Sequence, residues 1–95
     1  MTYVTLDDLE MGKTYLITVM ETKSYPYKRL FIGTYKDRAS GFSTKLTFSN
    51  TEMYSVMESG FKRFPKELCS QYLDLMIDVF ELSEEEAMIQ QMSFI

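Results

Sequence analysis

Gln71-Tyr-Leu-Asp-Leu-Met-Ile-Asp-Val-Phe-Glu81 can be read in two ways, and the choice decides the architecture. As a strand it places Leu73, Leu75, Ile77 and Val79 on one face, with Asp74 and Asp78 opposite. As part of a helix starting at Pro65 it aligns Glu67, Gln71, Asp74, Asp78, Glu81 and Glu85 into a polar stripe. Both periodicities fit. The strand reading, over residues 72–81, is preferred for two reasons. The helix would have to bury most of its circumference, and Ser83-x-x-Glu86 has the capping-box spacing that starts a new helix. That helix is expected over residues 84–93, with Leu82 and Ala87 as a hydrophobic staple across its cap. Its inward face is expected to carry Ala87, Met88, Gln91, Met92 and Ile95.

Upstream, period-2 alternation is clearest in two segments around a polar loop. In residues 27–36, Leu30, Ile32 and Thr34 alternate with Arg29, Phe31, Gly33 and Tyr35, so one face is apolar and the other mixed. In residues 42–48, Phe42, Thr44, Leu46 and Phe48 alternate with Ser43, Lys45 and Thr47. The loop Asp37 to Gly41 between them predicts a β-hairpin. Before it, Thr5 to Leu9 reads as one capped helical turn ended by Gly12, and residues 13–21 read as a strand with Tyr15, Ile17 and Val19 on one face. Residues 49–60 are ambiguous. Ser49-x-x-Glu52 and the spacing of Met53, Val56 and Met57 favour a short helix or turn over a strand. Together these elements predict one domain, residues 1–95, of the α+β class. It is a bent antiparallel sheet of four or five strands, with a small SH3-like barrel as one form of closure, and a C-terminal helix.

The 95 residues are enough for one hydrophobic core. Eight methionines and no tryptophan suggest a core filled by adaptable side chains, although methionine also marks promiscuous binding surfaces. Cys69 is the only cysteine, so no intramolecular disulfide can form, and an intracellular, cytoplasmic or virion setting is expected. No uninterrupted apolar run exceeds three residues, as at Leu75 to Ile77, so neither a signal peptide nor a membrane span is expected.

The net charge of −4 conceals a segregation. Residues 1–21 carry −3, residues 22–50 carry +5, residues 51–66 carry +1 and residues 67–95 carry −7, with no cation in the last segment. Such asymmetry bears on partners rather than on fold.

Catalytic chemistry has little to build on. The chain has no histidine, which removes the usual acid-base group and the usual triads. One cysteine without histidine supplies no transition-metal cage, and no calcium-loop spacing is present. Carboxylates at Glu84, Glu85 and Glu86 are explained by the helix dipole. On a strand, Asp74 and Asp78 would lie about 13 Å apart, too far for a glycosidase pair. The four glycines are scattered and form no phosphate-cradling loop. No enzyme activity, catalytic residue, metal or cofactor is expected.

Tyr25 to Gly41 packs four basic and four aromatic residues into 17 positions. Its candidate partner-binding residues are Tyr27, Lys28, Arg29, Tyr35, Lys36 and Arg38, joined by Lys45 from the returning strand. Amphipathic aromatics serve as interface anchors, which puts Tyr27 and Tyr35 at the centre of a protein-binding face. Rings interleaved with cations also suit single-stranded nucleic acid, the alternative partner. Basic edge strands are equally a defence against aggregation. A homodimer, in which the acidic C-terminal third of one copy covers the basic hairpin of the other, is a further arrangement.

The succession LDDLEMGKTY (6–15), RLFIGTYKDRASGFSTKLTFSN (29–50) and YLDLMIDVFELSEEEA (72–87) resembles that of short barrel proteins of large DNA viruses. The resemblance implies a virus-encoded protein without assigned activity and transfers no site residue. The expected function is therefore a non-enzymatic protein-binding module acting through the basic aromatic hairpin.

Overall fold

The structure, a computed structural model, describes residues 1–21, 23, 28–39, 45–55, 61–63, 67–69 and 76–93. For 50–55, 61–63, 67–69, 76, 77 and 93 it describes the backbone alone. In chain order the elements are β1 (Thr2–Tyr3), a single 3-10 turn (Leu6–Asp8), β2 (Thr14–Val19), β3 (Arg29–Ala39), β4 (Lys45–Ser55), β5 (Phe61–Arg63), β6 (Glu67–Cys69), β7 (Met76–Leu82) and α1 (Glu84–Ser93).

All seven strands join one antiparallel sheet in the order β1-β7-β2-β3-β4-β5, with β6 also on β4. β5 and β6 occupy the same edge of β4, opposite residues 52–54 and 45–47 respectively. The four strands of six or more residues, β2, β3, β4 and β7, carry the sheet. The fold is α+β, as the sequence predicts, but the sheet is open and the small-barrel form is not adopted.

The hairpin is present and longer than its alternation suggested. β3 pairs with β4 from Arg29↔Ser55 to Ala39↔Lys45, so Asp37 and Arg38 lie in the ladder and not in the turn. Residues 40–44, which hold the expected turn glycine, lie outside the described residues, as do Tyr27 and Phe42. Bulges between Ile32 and Thr34 and between Tyr35 and Asp37 interrupt the register and bend the strand pair. The expectation of a helix or turn after Ser49 fails through Ser55. Arg29, Leu30, Phe31 and Ile32 form an inner strand whose outer hydrogen bonds need residues 52–55 as partners. Residues 56–60 lie outside the described set.

Residues 76–82 are extended and residues 84–93 helical, which resolves the described part of the opening segment in favour of the strand; residues 71–75 lie outside the described set. β7 is required as a strand because it fills the slot between β1 and β2, with Thr14↔Leu82 through Thr18↔Asp78 in register.

The sheet buries both faces around β2. On one, Tyr15, Ile17 and Val19 pack with Phe31, Tyr35, Leu46, Phe48 and Val79 under a lid of Val4, Leu6 and Leu9 from the N-terminal turn. Phe48 centres it, edge-on to Phe31 at 5.7 Å between ring centres and tilted against Tyr35 at 5.6 Å. On the other face, Leu16, Ile32 and Leu82 pack with Leu30, Phe80 and Ala87, under α1. The mixed face of β3 thus carries the larger core.

Two expectations about packing are corrected. Every methionine whose side chain is described, Met1, Met11, Met20, Met88 and Met92, is exposed, so none of these five fills the core. On α1 the half-buried positions are Glu86, Ala87, Gln90 and Gln91, while Met88 and Met92 point outward; Ile95 lies outside the described residues. The staple sets this rotation, because Leu82 and Ala87 join one cluster and pull the 87/91 face onto the sheet.

Candidate partner-binding surface

The long hairpin positions the basic residues singled out by the sequence, and it separates them. Arg29 and Tyr35 are 7% and 5% exposed. Tyr35, in parity with Phe31 on an inner strand, joins its core cluster, and burial pushes the Tyr35 phenol above its ordinary pKa. Neither belongs to the accessible surface. Lys28, Lys36, Arg38 and Lys45 are exposed. Lys28 precedes β3, roughly 25 Å of extended chain from Lys36, so it stands apart from the other three. Lys36 falls in the second bulge, and Arg38 and Lys45 sit in consecutive pairs, Arg38↔Leu46 and Ala39↔Lys45, at the far end of the hairpin.

That end is anchored to the N-terminal turn. Arg38 Nη1 reaches Asp7 Oδ1 at 3.5 Å, and the Arg38 N–H donates to Asp37 Oδ1 at 2.7 Å. Asp7 is held by a turn that Thr5 starts. The Thr5 hydroxyl and N–H both donate to Asp8 Oδ2, at 2.8 and 3.4 Å, and the Asp8 N–H closes on the Thr5 carbonyl at 3.0 Å.

An open depression of about 530 Å³ lies beside this turn, lined by Val4, Asp7, Asp8, Leu9, Glu10, Lys13 and Glu81. Lys13 bridges it, with Nζ at 2.9 Å from Glu81 Oε1 and 3.1 Å from Glu10 Oε2. Glu81 first, then Glu10, hold the ammonium well above the usual lysine range, which leaves it a cation rather than a base or nucleophile. The Glu10 N–H donates to the Tyr15 hydroxyl at 2.8 Å, and burial raises the Tyr15 pKa. The sequence carried no local signal for this group, since Glu81 reaches Lys13 only through the β2–β7 register. Among the described residues no three metal-ligating side chains converge, and no helix is long and apolar enough to cross a membrane.

The accessible chemistry at the hairpin end is therefore cationic without described rings. Phe31 and Tyr35, two of the rings that would have stacked on bases, are packed with Phe48 inside; Tyr25, Tyr27 and Phe42 lie outside the described residues. No family model, no curated protein and no solved structure matches the chain.

Proposed function

We propose that this chain is a non-enzymatic protein-binding module that presents the basic end of its hairpin, Lys36, Arg38 and Lys45, to an acidic surface of another protein, with Lys28 as an outlying contact. One observation carries the reading: apart from the buried Arg29, the described cations of the hairpin, Lys36, Arg38 and Lys45, are outside, and the rings Phe31, Tyr35 and Phe48 are inside. Charge complementarity of this kind steers association and sets specificity between proteins. Single-stranded nucleic acid is the weaker reading, because it needs stacking platforms beside the cations and the described rings Phe31 and Tyr35 are in the core. The resemblance to viral proteins without assigned activity is compatible with such a role.

Partners captured from the native host by the wild-type chain and by Lys36→Glu/Arg38→Glu/Lys45→Glu, identified by mass spectrometry, test the proposal. Loss of a specific protein from the variant's capture is expected, and an unchanged set overturns it. Labelled single- and double-stranded oligonucleotides at about 50 mM salt, where phosphate contacts are strong, supply the opposing outcome. Binding there that falls steeply with salt and disappears in the triple variant would replace the protein partner by nucleic acid.

A further inference from the structure

α1 keeps Ala87 and Gln91 on its inner face as expected but turns its methionines outward. Its half-buried positions include Glu86, Gln90 and Gln91, whereas Met88, Ile89 and Met92 are 63%, 58% and 71% exposed. Glu84 and Glu85 are also exposed and lie one turn before Met88 and Ile89, so the outward face is one continuous stripe, Glu84, Glu85, Met88, Ile89, Met92. It runs for about 12 Å along the helix, two carboxylates followed by three flexible or branched apolar side chains. Glu86, the third acid of the first turn, is not part of it. Its carboxylate receives the Met1 amine and the Ser83 N–H on the sheet side.

We propose that this stripe docks a basic amphipathic helical segment of another protein. The apolar part alone would not select an occupant; the charges do. Both carboxylates are exposed at the helix N-terminus, and among the described residues the side-chain ion pairs run elsewhere, to Glu86, Glu10, Glu81 and Asp7, so no cation pairs with Glu84 or Glu85. A second copy laying the same stripe against it would supply none either. An anionic lipid surface is repelled by the same two carboxylates. A helix with aliphatic side chains at i, i+3 and i+4, followed by Lys or Arg at one end, matches the spacing and the charge together. Methionine suits the contact because its unbranched thioether repacks against differing partners. The inference is independent of the hairpin surface.

The probe is a fluorescent amphipathic peptide of leucine and lysine, with a leucine and glutamate peptide of the same pattern as control, followed by anisotropy at about 150 mM salt. The wild-type chain is expected to bind the first and not the second. Met88→Ser/Met92→Ser is expected to weaken binding at least about tenfold, and Glu84→Gln/Glu85→Gln by a similar factor. These side chains are exposed, so both variants should keep the wild-type helix signal in circular dichroism. Unchanged affinity in the serine variant would reduce the binding to diffuse charge attraction and overturn the proposal. So would equal binding of the glutamate peptide. Light scattering gives a third arm: a dimer abolished by the serine variant would show that a second copy occupies the stripe, contrary to the proposal.

Discussion

Ser83 and Glu86 satisfy each other's backbone: the Ser83 N–H donates to Glu86 Oε1 at 3.1 Å, and the Glu86 N–H donates to Ser83 Oγ at 3.2 Å. This reciprocal cap is where β7 ends and α1 begins, so it separates the strand from the helix that the opening segment left in competition. Ser83→Ala leaves the Glu86 N–H without its side-chain acceptor and should cost about 1 kcal/mol. In a domain of this size that corresponds to a fall in Tm of roughly 4–8 °C, measurable by a thermal melt. A variant that melts with the wild type would show that the cap contributes nothing.

Glu86 also ties the N-terminus to the helix, and this makes the tie pH-dependent. The Met1 amine first, then the Ser83 N–H, hold its carboxyl below the ordinary glutamate value of about 4.3. A depressed folded-state value means that the carboxylate contributes stability above about pH 4.3, and that the contribution is lost as pH falls through the lower folded value. Urea midpoints should therefore decline in this acid range more steeply for the wild type than for Glu86→Gln. Parallel pH curves for the two proteins would refute the link.

Gly12 is the one described glycine in the left-handed region, with φ 86°. It sits between two hydrogen bonds that lock the head of β2 to β3, Gly12 N–H to the Tyr35 carbonyl and Tyr35 N–H to the Lys13 carbonyl, each 2.9 Å. A Cβ at this position would meet nothing within 4 Å, so the cost of substitution is conformational rather than steric. Gly12→Ala should lose about 1 kcal/mol, and Gly12→Asn less, because asparagine tolerates positive φ. Equal stability of all three in denaturant titrations would contradict the backbone assignment.

Local signals were legible wherever the structure they describe is itself local. The Thr5 turn, the alternation of Tyr15, Ile17 and Val19, and the Ser83 cap are all short-range patterns, and all appear where the sequence places them. What misled was strand position. Ser49-x-x-Glu52 has helix-start spacing, yet residues 49–55 are drawn into β4 by pairing with a strand some twenty residues away in sequence. Arg29 and Tyr35 read as surface because a strand with one apolar and one mixed face suggests a solvated side. β3 lies between β2 and β4 in a sheet packed on both faces, and nothing in its own residues announces that order. The outward methionines of α1 follow from the Leu82–Ala87 staple, whose rotation of the helix becomes visible only once β7 is in place.

Tyr35 is the residue on which the sequence and the structure disagree most about function, and substitution separates the two. As an interface anchor, Tyr35→Ala would leave stability nearly unchanged and abolish partner binding. The structure instead packs its ring against Phe48 in the cluster with Phe31 and Leu46, 5% exposed. Removing the ring opens a cavity in the middle of that cluster and should cost about 3–5 kcal/mol, a large share of the stability of a small domain. Tyr35→Phe keeps the ring and its contacts, so it should fold with near-wild-type stability and retain partner binding. Denaturant melts of the two variants decide the matter: a stable Tyr35→Ala protein would return Tyr35 to the surface, whereas a collapse confined to the alanine variant places it in the core.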